Sequence, residues 1–133
     1  MRQIKFRAWL LDRNDPNQIL DEDGEATVYS MTYDLAFEEY APINELLASV
    51  EHLMQFTGLL DKNSKDIYEG DVVTTEWELE RKKVTGKIVW HEGFCGWAIE
   101  SDEMQYRFSA TAQAMRKVIG NIYENPELLE VKP

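Results

Sequence analysis

The chain has one cysteine, Cys95, and two histidines, His52 and His91, in 133 residues. A single thiol forms no internal disulfide, which excludes the disulfide-stapled class of small proteins and agrees with a reducing compartment. Structural zinc sites take four Cys and His ligands, and His91 with Cys95 supplies two, so no metal site is expected. Long apolar runs are also missing: none approaches the roughly 18 to 20 residues that cross a bilayer. The opening MRQIKFRAWLLDRND lacks the unbroken apolar stretch of a signal peptide, so a cytoplasmic location is expected. Seven glycines and four prolines without a repeat exclude collagen-like and low-complexity chains. One domain is expected at this length, large enough to bury roughly two thirds of its unfolded surface without a staple.

Positive charge is absent from one long stretch. Between residues 14 and 61 there are 11 acidic side chains and no Lys or Arg, so the net charge of −11 belongs wholly to that segment. This disfavours a generic nucleic-acid binder, whose affinity comes mainly from clustered cations that displace counterions. The one tight basic cluster, Arg81, Lys82 and Lys83, falls at an expected loop tip, where it reads as a solvated turn or as a phosphate contact. The acidic run Asp21, Glu22, Asp23 and Glu25 reads as a solubilising loop or as a face for a basic partner. It is not an EF-hand, because Gly24 at the sixth place would require an acid where Ile19 stands.

What remains is mostly strand texture. From Gln3 the chain alternates, with Ile4, Phe6, Ala8 and Leu10 on one side and Lys5, Arg7 and Trp9 on the other, the period of a half-buried strand. A short strand is expected at 27–32. Pro42, Ile43, Leu46, Leu47 and Val50 have helical spacing, with Glu45 suited to the first turn. Two apolar runs, 52–60 and 67–73, flank the polar hexapeptide 61–66, an expected turn. Val73, Thr75, Trp77 and Leu79 then alternate with Thr74, Glu76, Glu78 and Glu80. Further strands are expected at 84–91, 94–100, 106–109 and 118–123, and Asn125-Pro126-Glu127 reads as the start of a short helical turn. Short strands at close spacing from about residue 67 point to a small barrel or sandwich.

Reactive constellations are sparse. Cys95, between Phe94 and Gly96, is expected to pack as a small buried hydrophobe on the face of Trp97 and Ile99, and His91 four residues earlier is a weak base for it. No Gly-rich phosphate loop precedes a helix. The tryptophans Trp9, Trp77, Trp90 and Trp97 read chiefly as core. Trp9 and Trp90 lie off the clearest apolar stripes and are candidates for an exposed partner contact.

Four segments carry a family resemblance: IKFRAW at 4–9, LMQFTGLLDKNSKDIYEGDVV at 53–73, GKIVW at 86–90 and VIGNIYENPELL at 118–129. Together they resemble the YopX family of phage and prophage proteins, most specifically through TGLxDKNxxxIYEGDxV and GNIYENPEL. Two positions depart from the family pattern: Ser64 stands where it usually has Gly, and Leu11 where a charged residue often appears. The resemblance implies a mainly β fold, an SH3-like small β-barrel with an N-terminal strand and helix extension (1–52), a barrel-forming region (about 53–125) and a short C-terminal helical turn. It implies no catalytic residue, metal or cofactor. Gly58 and Gly70 read as turn formers, Asp61 and Asn63 as the polar turn, Asp71 as the lead into a strand, and Asn121 and Asn125 as partners for backbone groups. The function expected is a non-enzymatic interaction module that binds a phage or host protein. The alternative is a nucleic-acid-binding barrel, marked by a basic, aromatic-rich surface near 81–87. Small barrels with open edges also associate with themselves, so a homo-oligomer is a further expectation.

Overall fold

The computed structural model describes residues 4–11, 16–33, 50–77, 82–101, 104–107 and 110–129. Among them the fold is mainly β, two sheets in which every strand pairing is antiparallel. The chain divides into two compact units, Lys5–Gln55, and Met1–Ile4 with Phe56–Pro133.

In the first unit β1 (Phe6–Leu11) lies between β2 (Tyr29–Thr32) and the start of β3 (Val50–Leu60). The alternation puts Ala8 and Leu10 inside as expected. Arg7 is the exception. It is as buried as they are, because its Nη1 donates to the Tyr33 hydroxyl at 3.3 Å and its guanidinium sits 5.7 Å from the centre of the Tyr33 ring. Ile4 precedes the strand and is exposed rather than packed. The expected strand at 27–32 shortens to β2. The expected helix at 42–50 lies outside the described residues except for Val50, which instead opens β3.

In the second unit the end of β3 pairs with β4 (Asp66–Tyr68), Phe56 facing Tyr68 and Leu60 facing Asp66. The register is irregular between them, and Gly58 there takes φ +85°, a left-handed conformation that costs glycine little. It therefore serves a strand irregularity rather than a turn. The main sheet has the order β8-β7-β6-β5-β9, with β5 (Asp71–Trp77), β6 (Lys82–His91), β7 (Gly96–Ser101), β8 (Met104–Arg107) and β9 (Arg116–Asn121). β5 to β8 form a meander, and β9 returns to pair with β5. Ile67, Val73, Val84, Ile88, Trp97, Ile99 and Val118 form the core, with Leu59 and Tyr106 packed against it. Each such large apolar side chain contributes roughly 1.5 to 3 kcal/mol on burial.

Several strand boundaries differ from expectation: β6 starts two residues early, and β7 runs 96–101 rather than 94–100. β8 runs 104–107 rather than 106–109, of which 108 and 109 lie outside the described residues, and β9 starts and ends two residues early. A 3-10 turn, Ala110–Met115, precedes β9 without a signal in the periodicity. Cys95 is exposed, not buried. A 3-10 turn at Glu92–Phe94 interrupts the hairpin, and Cys95 caps it with φ +48° while its Sγ donates to the Glu92 carbonyl at 3.4 Å. The closing turn forms as 3-10 helix Pro126–Leu129. Asn121 Oδ1 accepts from the Tyr123 and Glu124 amides, and Asn125 Oδ1 accepts from Asn121 N–H.

Candidate functional site

The hexapeptide 61–66 is held by one carboxylate. Asp61 Oδ1 accepts from the amides of Asn63 (2.8 Å) and Lys65 (2.9 Å), and Oδ2 accepts from Val118 N–H in β9 at 3.0 Å. Three further bonds bind the same turn to the approach to β9. Lys62 N–H donates to the Arg116 carbonyl, Arg116 Nε donates to the Leu60 carbonyl, and Gln113 Nε2 donates to the Asp61 carbonyl. Burial by itself would raise the Asp61 carboxyl. The Val118, Lys65 and Asn63 amides and the Lys65 charge outweigh it and leave the group below the ordinary carboxylate value. Burial pushes the Arg116 guanidinium down, and the Asp61 charge counters part of that.

This turn positions one wall of a depression of about 380 Å³. Lys62 comes from the turn, Thr74 and Thr75 from β5, Lys83 from β6, and Ala114 to Lys117 with Ile119 from the stretch entering β9. The register explains the gathering: Thr75 faces both Val84 and Arg116, Thr74 faces Lys117, and Glu76 faces Lys83 across the backbone ladder. The Thr74 hydroxyl lies 3.0 Å from that of Thr85, within hydrogen-bond reach. Lys62, Lys83 and Lys117 are exposed, Arg116 is buried, and Met115 and Ile119 are each 37% exposed. Among the described residues the lining contains four cations, no carboxylate and no aromatic ring. Chemically it is a place for an anionic group with aliphatic neighbours.

Of the residues singled out from the sequence, Lys83 alone lines this depression. Arg81 lies outside the described residues, and Lys82 is the first residue of β6. Asp21, Glu22, Asp23 and Glu25 are all exposed, on a loop closed by a bridge between Leu20 and Ala26. Trp9 is half-buried and stacks on Tyr29 at 5.9 Å, whereas Trp90 is 47% exposed and meets Trp97 edge-on at 5.2 Å. His91 stacks on Phe94 at 4.1 Å. Among the described residues no three His, Cys, Asp or Glu side chains gather as metal ligands, and no helix is long and apolar enough to cross a membrane. Lys62 and the pair Arg116-Lys117 escape a sequence reading because they lie far apart in the chain, and only the strand register brings them to Lys83.

An all-antiparallel β chain of two sheets, with a basic depression beside the last strand, is the class that these features define. The family model described as YopX protein matches residues 5–130, and the chain belongs to that family. It is also similar in fold to the crystal structure of protein EF1440 from Enterococcus faecalis, with a TM-score of 0.55 and 24% identity over 98% of this chain and 100% of that one. No curated protein matches the chain.

Proposed function

We propose that the protein is a non-enzymatic interaction module of SH3-like type, encoded by a phage or prophage and acting in the host cytoplasm, that binds a partner protein through the basic depression. The SH3-like description draws on the family resemblance and on the five-stranded order in which the last strand returns to the first of the meander. The carrying observation is the pairing of Lys62, Lys83, Lys117 and Arg116 with the half-exposed aliphatic side chains of Met115 and Ile119. A protein segment carrying both carboxylates and aliphatic groups satisfies both halves of that lining. Exposed Trp90 is an additional anchor for the partner.

A second reading, contact with a nucleic-acid backbone, is favoured by the same four cations. Against it stand the net charge of −11 and the lack, among the described residues of the lining, of an aromatic side chain on which a base could stack.

The test is capture from a lysate of infected host cells, with and without nuclease, comparing the wild type with Lys62→Glu/Lys83→Glu/Lys117→Glu. A protein retained after nuclease by the wild type and lost by the variant is the expected result. Nucleic acid retained by the wild type alone would move the assignment to the second reading. Equal capture by both forms would remove the depression from the function.

A further inference from the structure

Resting on the reading of the depression as a protein-docking site, we infer that its occupant is the acidic hairpin 19–27 of a second copy of this chain. The hairpin has the complementary character. Ile19 and Leu20 are 66% and 62% exposed, and Asp21, Glu22, Asp23 and Glu25 follow directly, all in water. Two large aliphatic side chains beside exposed carboxylates match two aliphatic side chains beside the exposed cations Lys62, Lys83 and Lys117, with the sign reversed. The segment from 14 to 61 holds 11 acidic side chains and no Lys or Arg.

The hairpin is also built in advance. Asp21 N–H donates to the Glu25 carbonyl and Thr27 N–H to the Ile19 carbonyl. Asp21 Oδ1 accepts from the amides of Asp23 and Glu25, both at 2.9 Å, and Gln18 Oε1 accepts from Thr27 and Val28, both at 2.7 Å. A tip ordered before contact loses little conformational freedom on docking. Because two different surfaces meet, the contact is heterologous: each docked copy keeps one free hairpin or one free depression, and assembly proceeds to a ring or an open chain. The net charge of −11 opposes approach at long range, but at physiological salt it is screened beyond about 8 Å, while pairs in contact persist.

Sedimentation velocity on the full chain tests this with two charge-reversal variants. Glu22→Lys/Asp23→Lys/Glu25→Lys removes the hairpin's charge while keeping Asp21, which holds the loop. Lys62→Glu/Lys83→Glu/Lys117→Glu removes that of the depression while keeping buried Arg116. The wild type is expected to associate as concentration rises and each variant alone to associate at least about tenfold more weakly; in an equimolar mixture of the two reversals every hairpin again meets a depression of opposite sign, so assembly is recovered, whereas a mixture of the neutral variants below stops at a 1:1 complex. The neutral variants Glu22→Gln/Asp23→Asn/Glu25→Gln and Lys62→Gln/Lys83→Gln/Lys117→Gln repeat the test should a reversal fail to fold by circular dichroism. A wild type that stays monomeric at every concentration overturns the inference, as does a variant that assembles like the wild type or a mixture that does not pair. If the wild type is monomeric yet loses its captured lysate protein on reversal of the lysines, self-docking falls and the protein-docking depression stands. If reversal changes neither assembly nor capture, both fall.

Discussion

The Asp61 carboxylate accepts the Val118 amide at 3.0 Å across 57 residues of chain. With its other oxygen it closes the turn that carries Lys62. The same few atoms therefore set the turn, align the start of β9 and place one wall of the basic depression. Removing them should be felt in all three.

Asp61→Asn keeps the size of the side chain but replaces one acceptor oxygen by a donor. The loss of a charge-assisted bond to a buried amide should cost about 2 to 4 kcal/mol, read as a lower urea midpoint at unchanged slope. A variant as stable as the wild type would remove Asp61 from its assigned role.

The same group predicts the acid limb of stability. Its carboxyl lies below the ordinary value of 3.8 in the folded chain. A depressed carboxyl contributes stability that is fully present above the unfolded value and lost as pH falls through the folded one. The stability gap between wild type and Asp61→Asn should therefore be flat from neutral pH to about 5 and close below about 4. A gap unchanged down to pH 2 would contradict the shift.

Ser64, within the turn, has φ +61°, a left-handed conformation that costs a side-chain-bearing residue about 1 kcal/mol. Glycine adopts that conformation freely, so Ser64→Gly should be neutral to stabilising by up to about 1 kcal/mol despite the added freedom of the unfolded chain. Thermal melting checks the sign, and a lower midpoint would contradict it.

Trp97 and Trp90 touch one another but should respond differently. Trp97 is buried in the core cluster, and Trp97→Ala should cost about 3 to 5 kcal/mol. Trp90 is 47% exposed, and Trp90→Ala should cost about 1 kcal/mol or less. The buried Nε1 of Trp97 has no hydrogen-bond partner among the described residues, so Trp97→Phe should be far milder than Trp97→Ala. Chemical denaturation of the three variants gives the order directly.

Gly86 faces Val73 in the ladder, and a Cβ there would collide with the backbone carbonyl of Glu100. A backbone atom yields less readily than a side chain, so Gly86→Ala should destabilise by about 1 to 3 kcal/mol. No change in the melting midpoint would show that β6 and β7 are free to separate there.

Local chemistry was legible in the sequence wherever neighbours decide the outcome. The alternation around Ala8 and Leu10, the polar turn at 61–66 and the final turn at Pro126 follow from period and residue type. Long-range pairing was not. Nothing in the alternation states that Arg116 will face Thr75 or that Lys62 will meet β9, because a period of two identifies a face and not a partner strand. Arg7 reads as solvent-facing until Tyr33 supplies a partner. Cys95 reads as buried until the 3-10 turn before it rotates the backbone. The depression escaped for the same reason: its cations are spread over more than fifty positions and converge only through register.

The return of β9 to β5 also sets an order of events. The meander β5 to β8 closes through neighbouring strands, whereas the last pairing must join segments some forty residues apart, and such closures come slowly. During synthesis β5 is therefore a bare edge until Arg116–Asn121 leaves the ribosome, with the β-branched pair Val72 and Val73 beside its unpaired amides. The vulnerable moment of this protein is thus its own translation. A ribosome stalled short of residue 116 would hold a nascent sheet open to chaperones, or to the same edge on a neighbouring nascent chain.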